Sequence, residues 1–440
     1  MDSYDTPRSV ASALARHAPR RIRRLLDPAV GHGVLVEAVG TAVVAAGGRA
    51  VCVDVDSEAL VACKKHLRSL SGVTAEYLNL DFLKWGAGRE RFDCIIMNPP
   101  FAAKKQYAVP LGLEGPPSRF GNHRLVPIEA AFVLKAVDLL EPGGRLLAVL
   151  PSSVILGQLF AWLRRHLCDA GSIRYVHELP QFTFADVESR VYLFVFDKKG
   201  RSAQVTLSNH DLRLPFSIRV LRSMLDPELR LDFGFCSSSA FLREVVSSTP
   251  GLGWTELGAC ARVFRGRGVS PHRLKRSLHT TDFSAEDWGF SKRPSAIAED
   301  CSDRGLKQGD LFVKRVGRNS SRTLRLNRGL NNKLCSDCIL VVRPSKLAAR
   351  MQLLLAARVL LESGVGASLI ERGSGASYIT EGALRSLPIP FSLPNLDLAL
   401  YRKYRNAVAQ QDLVCIRSIE AEFRGRIGLT SEDSSRPLQG

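Results

Sequence analysis

The chain has 440 residues, about three times the usual length of one domain, so two or three domains are expected. Its 45% hydrophobic content is enough for packed cores and excludes a wholly disordered chain, while 24% charged residues is ordinary for a soluble protein. Lys and Arg number 61 against 43 Asp and Glu, and the excess of +18 favours a polyanionic partner.

The charge is uneven. Residues 1–200 hold 25 basic and 20 acidic residues, and residues 201–440 hold 36 and 23, so the cationic surface is expected mainly in the second half. No apolar run reaches the roughly 20 residues that a bilayer crossing needs, so no membrane partner is expected. Met1–Val10 carries two acids and no apolar core, unlike a secretory signal. Ten cysteines are too dilute for a disulfide scaffold, and Cys52 and Cys94, inside apolar runs, read as buried free thiols. A reducing cytoplasm fits this usage.

Residues 20–200 alternate short apolar runs with helical patterns, the rhythm of an α/β domain. A first strand ends at Arg24–Asp27, and Val34–Ala46, small and apolar throughout, reads as a helix on a sheet. Ala50–Val55 is the second strand and Ser57–Ser69 a more polar helix. Strands follow at Thr74–Leu78 and Phe92–Met97. Ile128–Leu140 has helical spacing, with Glu141-Pro-Gly-Gly144 as its stop, and Arg145–Leu150 is the next strand. Phe160–Cys168 reads as helix, and Ile173–Glu178 and Val191–Phe196 as strands. This pattern predicts a doubly wound, mostly parallel sheet whose ligand lies beyond the carboxyl ends of its strands.

Residues 203–250 either finish this domain or connect it to the next. Cys260–Pro390 mixes strand-like runs and glycine-rich turns without βαβ alternation, and helical patterns occupy Leu347–Leu361 and Asp397–Phe423. The expected division is 1–245, a mixed α/β domain at 246–425, and a flexible tail at 426–440.

Asp27-Pro28-Ala29-Val30-Gly31-His32-Gly33 follows the first strand directly. Gly31 and Gly33 allow a close turn with room for a ligand, but the spacing is neither that of a phosphate loop nor G-x-G-x-x-G. A carboxylate at the tip of the strand repels a pyrophosphate and can pair with a ligand ammonium. Asp54 and Asp56 end the second strand, where an acid can accept from ribose hydroxyls. Asp81 and Phe82 follow the third, where an acid can take an exocyclic amine and a ring can flank a purine. Together these positions suggest an adenosine bearing an amino acid and no phosphate, the chemistry of S-adenosylmethionine.

Asn98-Pro99-Pro100-Phe101 comes straight after the strand Phe92–Met97. Two prolines cannot continue a central strand, and they stiffen a turn that can aim Asn98 and the Pro99 carbonyl at a substrate. Two acceptors there can hold both hydrogens of a planar ring amine and turn its lone pair towards a methyl donor, with orientation and placed dipoles as the catalytic means. Phe101 is a candidate to stack on the target base, which must be flipped out of a duplex. Of the later aromatics, Phe184 is preferred as the second stacking ring and Phe182 as the core residue.

These residues resemble the amino-group DNA methyltransferases, specifically the adenine-N6 type of bacterial restriction-modification systems. Asp27–Gly33 looks like their S-adenosylmethionine loop and Asn98–Phe101 like their catalytic tetrapeptide. Val30 and His32 stand where the family shows smaller or polar residues. Tyr4-Asp5-Thr6-Pro7 is similar to the family's N-terminal cofactor motif, which implies that Thr6 and Pro7 touch the methionine end. The resemblance likewise implies Asp54 for the ribose and Asp81 for the adenine amine. Gly309–Gly317 and Ala383–Pro390 resemble, more loosely, the specificity domains of type I systems, which implies a DNA target-recognition domain in the same chain.

Two basic clusters fit that expectation. Arg262, Arg265, Arg267, Arg273, Lys275 and Arg276 have no acid among them in sequence, and Lys314, Arg315, Arg318, Arg322, Arg325 and Arg328 form the second. Arg262, Arg265, Arg267, Lys314, Arg315 and Arg318 are the expected DNA contacts. Cys335-Ser-Asp-Cys338 lacks a companion pair, so no metal is expected. The sequence thus predicts a site-specific adenine-N6 DNA methyltransferase that uses S-adenosylmethionine on duplex DNA. A cognate restriction endonuclease is a possible partner, and the oligomeric state is left open. An RNA or protein-glutamine N-methyltransferase, or a non-catalytic DNA-binding subunit, are the alternatives.

Overall fold

The computed structural model describes the chain except residues 1–5, 69–72, 89, 102–105, 111–118, 121–122, 181, 185–189, 210–215, 226–227, 269–276, 284–296, 301, 318–319, 374–376, 392–397 and 430–440. The chain divides into two compact units, Met1–Cys236 and Ser237–Gly440. The expected boundary at 245 falls inside the helix Phe233–Ser248, which the division crosses.

In the first unit, α1 (Arg8–Ala15) precedes β1 (Arg24–Asp27), and α2 (Val34–Ala45) leads to β2 (Arg49–Asp54). α3 (Ser57–Leu67) leads to β3 (Thr74–Asn79), and β4 (Phe92–Met97) follows. β5 (Gln106–Pro110), β6 (Arg119–Phe120) and β7 (His123–Pro127) make a small separate sheet. Then come α4 (Ile128–Leu139), β8 (Leu140–Pro151), α5 (Ser152–Leu156), α6 (Ala161–Ala170), β9 (Gly171–Glu178) and β10 (Val191–Lys198). β11 (Gln204–Asn209) and β12 (Phe216–Leu221) extend the main sheet, so residues 203–221 complete this unit.

The main sheet has the order β12-β11-β9-β10-β8-β4-β1-β2-β3. Chain direction explains the ligand end. β1, β2 and β3 step outwards as parallel neighbours, and the chain then returns to place β4 parallel on the other side of β1. That reversal opens a crevice at the carboxyl ends of β1 and β4. The α3 crossover is started by Asp56, whose Oδ1 accepts from the N–H groups of Glu58 and Ala59 at 2.9 and 3.3 Å.

The sheet is buried on both faces, which is why its central strands are apolar throughout. Along β10, Tyr192, Phe194 and Phe196 enter one core while Val191, Leu193 and Val195 enter the other. One sequence expectation is corrected here. Glu141–Gly144 does not separate helix from strand; β8 begins at Leu140, and its register against β4 shifts between Phe92 and Cys94. Gly143, at φ +87°, lets the strand bulge rather than stop.

The second unit contains β13 (Trp254–Glu256), β14 (Ala261–Arg265), β15 (Leu311–Lys314), β16 (Arg325–Leu326) and β17 (Ile339–Pro344). The last four form an antiparallel sheet in the order β14-β17-β15-β16. Val263, Leu311, Leu340 and Val342 pack on one face with the helix Arg350–Glu362, and Phe264, Phe312 and Val341 fill the other. The expected tail from 426 is also corrected: Ile427 and Leu429 are buried in this unit's core. Among the described residues no single helix is long and apolar enough to cross a membrane.

Phe194 is 1% exposed at the centre of the main sheet. Replacing it with Ala should lower unfolding free energy by about 3–5 kcal/mol, read by denaturant titration, because lost apolar burial adds to a cavity in a strand held on both sides.

Candidate cofactor and catalytic site

Four side chains singled out in the sequence stand just past the carboxyl ends of four adjacent parallel strands: Asp81 after β3, Asp54 ending β2, Asp27 ending β1 and Asn98 after β4. Sheet register alone brings them to one crevice.

Asp27 is fully buried. Its Oδ1 accepts from the Ala29 N–H at 3.2 Å, while Oδ2 is buried with no hydrogen-bond partner among the described residues. Burial raises its pKa to about 8; the Ala29 N–H opposes the rise and the nearby Asp54 charge adds to it. The loop after it is shaped by two left-handed glycines, Gly31 at φ +50° and Gly33 at φ +83°. A Cβ at Gly33 would lie 2.8 Å from Cys63 Sγ, so that glycine packs the loop on α3. A Cβ at Gly31 would meet nothing within 4 Å, so that position faces open space.

Asp54 ties the loop to β2. Its Oδ2 accepts from Gly31 N–H at 2.9 Å and its Oδ1 from Asp56 N–H at 3.0 Å. A carboxylate has about four lone-pair sites, so acceptor capacity for a ribose diol is left over. Asp81 accepts from Leu83 N–H at 2.9 Å and faces Lys84 at 3.6 Å. The orphaned Asp27 oxygen, the space at Gly31 and the acceptors of Asp54 and Asp81 fit an adenosine carrying a cationic amino acid.

Phe82 does not join them. It is 1% exposed, packed against Phe132 with ring centroids 5.0 Å apart and beneath Lys135 Nζ at 5.1 Å. The apolar side chain in the open is Val55, 60% exposed between Asp54 and Asp56. Its only sequence signal was an apolar residue continuing past the strand-end acid.

At the catalytic turn, Asn98 Nδ2 donates to Thr6 Oγ1 at 3.0 Å, and Asn98 Oδ1 is buried without a partner among the described residues. Pro99 is buried, and Phe101 is half-buried against the core beneath. The two later aromatics exchange their expected places. Phe184 is 5% exposed and part of that core, so it is not a stacking ring, whereas Phe182 is 70% exposed at φ +63°. The turn is closed by Thr183 N–H donating to the Pro180 carbonyl at 3.2 Å. A left-handed Phe is uncommon and costs about 1 kcal/mol or more. The pairings Met97↔Ala148, Pro151↔Val191 and Tyr192↔Glu178 place this turn at the Asn98 end of the sheet.

In the second unit the first basic cluster is free of acids in sequence but not in space. Arg262 pairs with Asp303 at 2.6 Å, Arg265 with Asp337, and Arg267 with Asp300 at 3.8 Å. Arg315 donates to the Asp337 carbonyl at 2.7 Å, and Lys314 Nζ lies 5.6 Å over the Phe283 ring. Arg325 is buried, and Arg328 donates to the Val408 carbonyl. Arg273, Lys275, Arg276 and Arg318 lie outside the described residues. Sequence reasoning passed over Arg402, Lys403 and Arg405, exposed on the helix Leu398–Gln410 with no side-chain partner among the described residues.

Two family models match the first unit: the methyltransferase small domain over residues 3–114 and the N-6 DNA methylase over residues 65–226. The type II methyltransferase M.BsuBI of Bacillus subtilis is 28% identical over 133 residues, covering 28% of this chain and 25% of that protein. The match thus spans a quarter of that relative's length. The type I restriction-modification methyltransferase subunit from Streptococcus thermophilus is 22% identical with a TM-score of 0.39, covering 47% of each chain. The type IIG restriction endonuclease BpuSI is 13% identical with a TM-score of 0.47, covering 99% of this chain and 67% of that one.

Sheet order, the glycine loop after β1 and the model matches define residues 3–226 as an S-adenosylmethionine-dependent methyltransferase domain. Within that class, residues 65–226 match the N-6 DNA methylase family model.

The raised pKa of Asp27 has opposite consequences for stability and binding. Between about pH 4 and 8 the folded protein keeps a proton that the unfolded chain has lost, so ligand-free stability should fall as pH rises through that window. Calorimetry should find a shallower fall in Asp27→Asn. Affinity for S-adenosylmethionine should instead rise with pH up to about 8 in the native protein, as the carboxylate ionises to meet the ammonium. The same titration should be flatter in the variant.

Proposed function

We propose that the chain is a site-specific DNA adenine-N6 methyltransferase that uses S-adenosylmethionine on duplex DNA in the reducing cytoplasm. The observation that carries this reading is the buried, unpartnered Asn98 Oδ1, held on a double-proline turn next to the Asp27 loop. An acceptor so placed is suited to a planar amine, whose hydrogens are otherwise unpaired once the base has left its stack.

When bound, S-adenosylmethionine would supply a sulfonium methyl for direct transfer, with the sulfur–methyl bond exchanged for a nitrogen–methyl bond and one amine proton lost to solvent. The rest belongs to the chain. Asp27 would hold the ammonium, Asp54 the ribose hydroxyls and Asp81 the cofactor's adenine amine, and Val55, 60% exposed beside them, would offer an apolar surface to its ring. Asn98 Oδ1 and the Pro99 carbonyl accept the two target hydrogens, orienting the lone pair, and Pro100 stiffens the turn. Phe101 and Phe182 enclose the extruded base. The second unit serves as the target-recognition domain, and a separate cognate endonuclease is the partner against which such a mark protects.

Labelled cofactor and unmodified duplex DNA should yield N6-methyladenine. Label on RNA or on a glutamine amide, with none on DNA, would overturn the reading. Asn98→Ala should bind cofactor with nearly native affinity in calorimetry and lose at least about 100-fold in single-turnover rate, the size expected when one preorganised polar contact to the reacting group is removed.

The two phenylalanines should separate cleanly. Phe182→Ala should keep its melting temperature and bind target duplex about 5- to 150-fold more weakly, in line with ~1–3 kcal/mol per stacked base. Phe184→Ala should melt several degrees lower. Equal DNA affinity in native protein and Phe182→Ala would remove Phe182 from the base pocket.

A further inference from the structure

We infer that Thr6 is a positioning residue whose hydroxyl couples cofactor occupancy to the orientation of the Asn98 amide. The inference rests on the methyltransferase reading above and goes beyond it, because it gives Thr6 a task towards the catalytic turn.

Thr6 stands immediately before α1, and its place is fixed by that helix although it lies near the start of the chain. Val10, Ala11 and Leu14 are buried in one core with Leu35, Val36 and Val39 of α2. The Pro7 carbonyl accepts from Ala11 N–H at 3.0 Å, closing the first turn. Thr6 Oγ1 is thereby held 3.0 Å from Asn98 Nδ2, a contact bridging 92 residues of sequence.

A threonine hydroxyl has one hydrogen to give and two lone pairs. Here a lone pair is used by Asn98, and the hydroxyl hydrogen has no acceptor among the described residues. The hydroxyl alone does not fix the amide. It can accept from Nδ2, leaving Oδ1 for the substrate. It can equally donate to Oδ1, which spends the needed acceptor and turns the NH2 group towards the substrate amine, donor against donor.

What separates the two arrangements is the destination of the hydroxyl hydrogen. The amino-acid end of the cofactor carries a carboxylate on the same carbon as the ammonium assigned to Asp27. A hydroxyl prefers an ionised acceptor to a neutral amide oxygen. Once Thr6 donates to that carboxylate, only its lone pairs remain for Asn98, and the amide is left with Nδ2 towards Thr6 and Oδ1 towards the substrate. The amide already lies this way round, and a filled cofactor site removes the competing orientation, so Thr6 holds Asn98 ready more firmly once the cofactor is bound. Reciprocity requires that bound substrate tighten the cofactor by the same factor.

The test needs no turnover. Binding of duplex DNA carrying an unmodified adenine at the target position is measured alone, with S-adenosylhomocysteine, and with its decarboxylated analogue, all at saturation. S-adenosylhomocysteine should tighten DNA binding about tenfold in the native protein and in Thr6→Ser, with little effect in Thr6→Val. The decarboxylated analogue should leave DNA affinity unchanged in the native protein. Full tightening in Thr6→Val, or with the decarboxylated analogue, would overturn the inference. The analogue arm uses the native protein and so does not depend on the variant folding.

A second readout separates failure of this link from failure of the function. The side-chain amide resonances of Asn98, assigned by their loss in Asn98→Ala, should shift when S-adenosylhomocysteine binds the native protein and stay still in Thr6→Val. If the native protein bound no duplex at all, the DNA reading would fall and these resonances would still decide the coupling. Absence of a shift in the native protein would sink it.

Discussion

Two buried oxygens without partners, Asp27 Oδ2 and Asn98 Oδ1, are the constraint on which the first unit depends. Leaving a buried acceptor unsatisfied costs about 1–3 kcal/mol, and more where the group is charged. A sheet buried on both faces can carry that burden, because each central strand is fixed by neighbours on either side and by core on either face. Both orphans sit where the chain reverses direction across β1, so the crevice is a consequence of strand order. Asp27 answers its cost by holding a proton up to about pH 8. Asn98 has no proton to gain, and with Nδ2 given to Thr6 its Oδ1 is left for a ligand hydrogen.

Much of this was legible in the sequence because it depends on local chemistry. β1, β2 and β4 read as apolar runs since both their faces are covered, while β3 at the sheet edge is mixed, and the acids and the Asn-Pro-Pro turn fall at or just past their ends. Where one side chain points was a different matter. Phe82 and Val55 occupy similar places after a strand, yet one faces the core and the other solvent. Phe182 and Phe184 are two residues apart in a turn, and the left-handed backbone at Phe182 sends its ring outwards while Phe184 fills the core. Hydrophobicity is the same for both, so no periodicity could rank them. The helix does end before Glu141, but β8 starts at Leu140, five residues earlier than expected.

Charge shows the same limit at longer range. Arg262, Arg265 and Arg267 are a basic cluster along the chain, but Asp303, Asp337 and Asp300, which partner them, come from segments more than 30 residues away. An arginine facing a carboxylate contributes little field to an approaching polyanion, since the carboxylate repels what the guanidinium attracts. Exposed pairs of this kind are also weak, and can exchange partners at small cost. Arg402, Lys403 and Arg405 differ. They lie within one helical turn on a helix whose other face, Leu400, Tyr401 and Tyr404, is buried, and Leu398–Gln410 contains no acid. The field of the second unit is therefore distributed otherwise than its arginine count suggests.

Asp27 and Thr6 solve related problems with different chemistry. Each is held by structure that forms without a ligand, Asp27 by the end of β1 and Thr6 by the start of α1, and each presents one unsatisfied group to the same crevice. For Asp27 the resting state is neutral, and an ammonium is needed to make ionisation favourable in a buried place. For Thr6 the resting hydrogen bond from Asn98 Nδ2 can be exchanged for one to Oδ1, and a carboxylate that takes the hydroxyl hydrogen prevents that exchange. An α-amino acid offers both groups on a single carbon. A ligand lacking either would leave one of these residues unsatisfied, so the crevice discriminates by the pair of charges and not by net charge, which is zero for the amino-acid end. Selection for the right donor and preparation of the amide that receives the substrate then become the same event, because both depend on where one small zwitterion places its two ends.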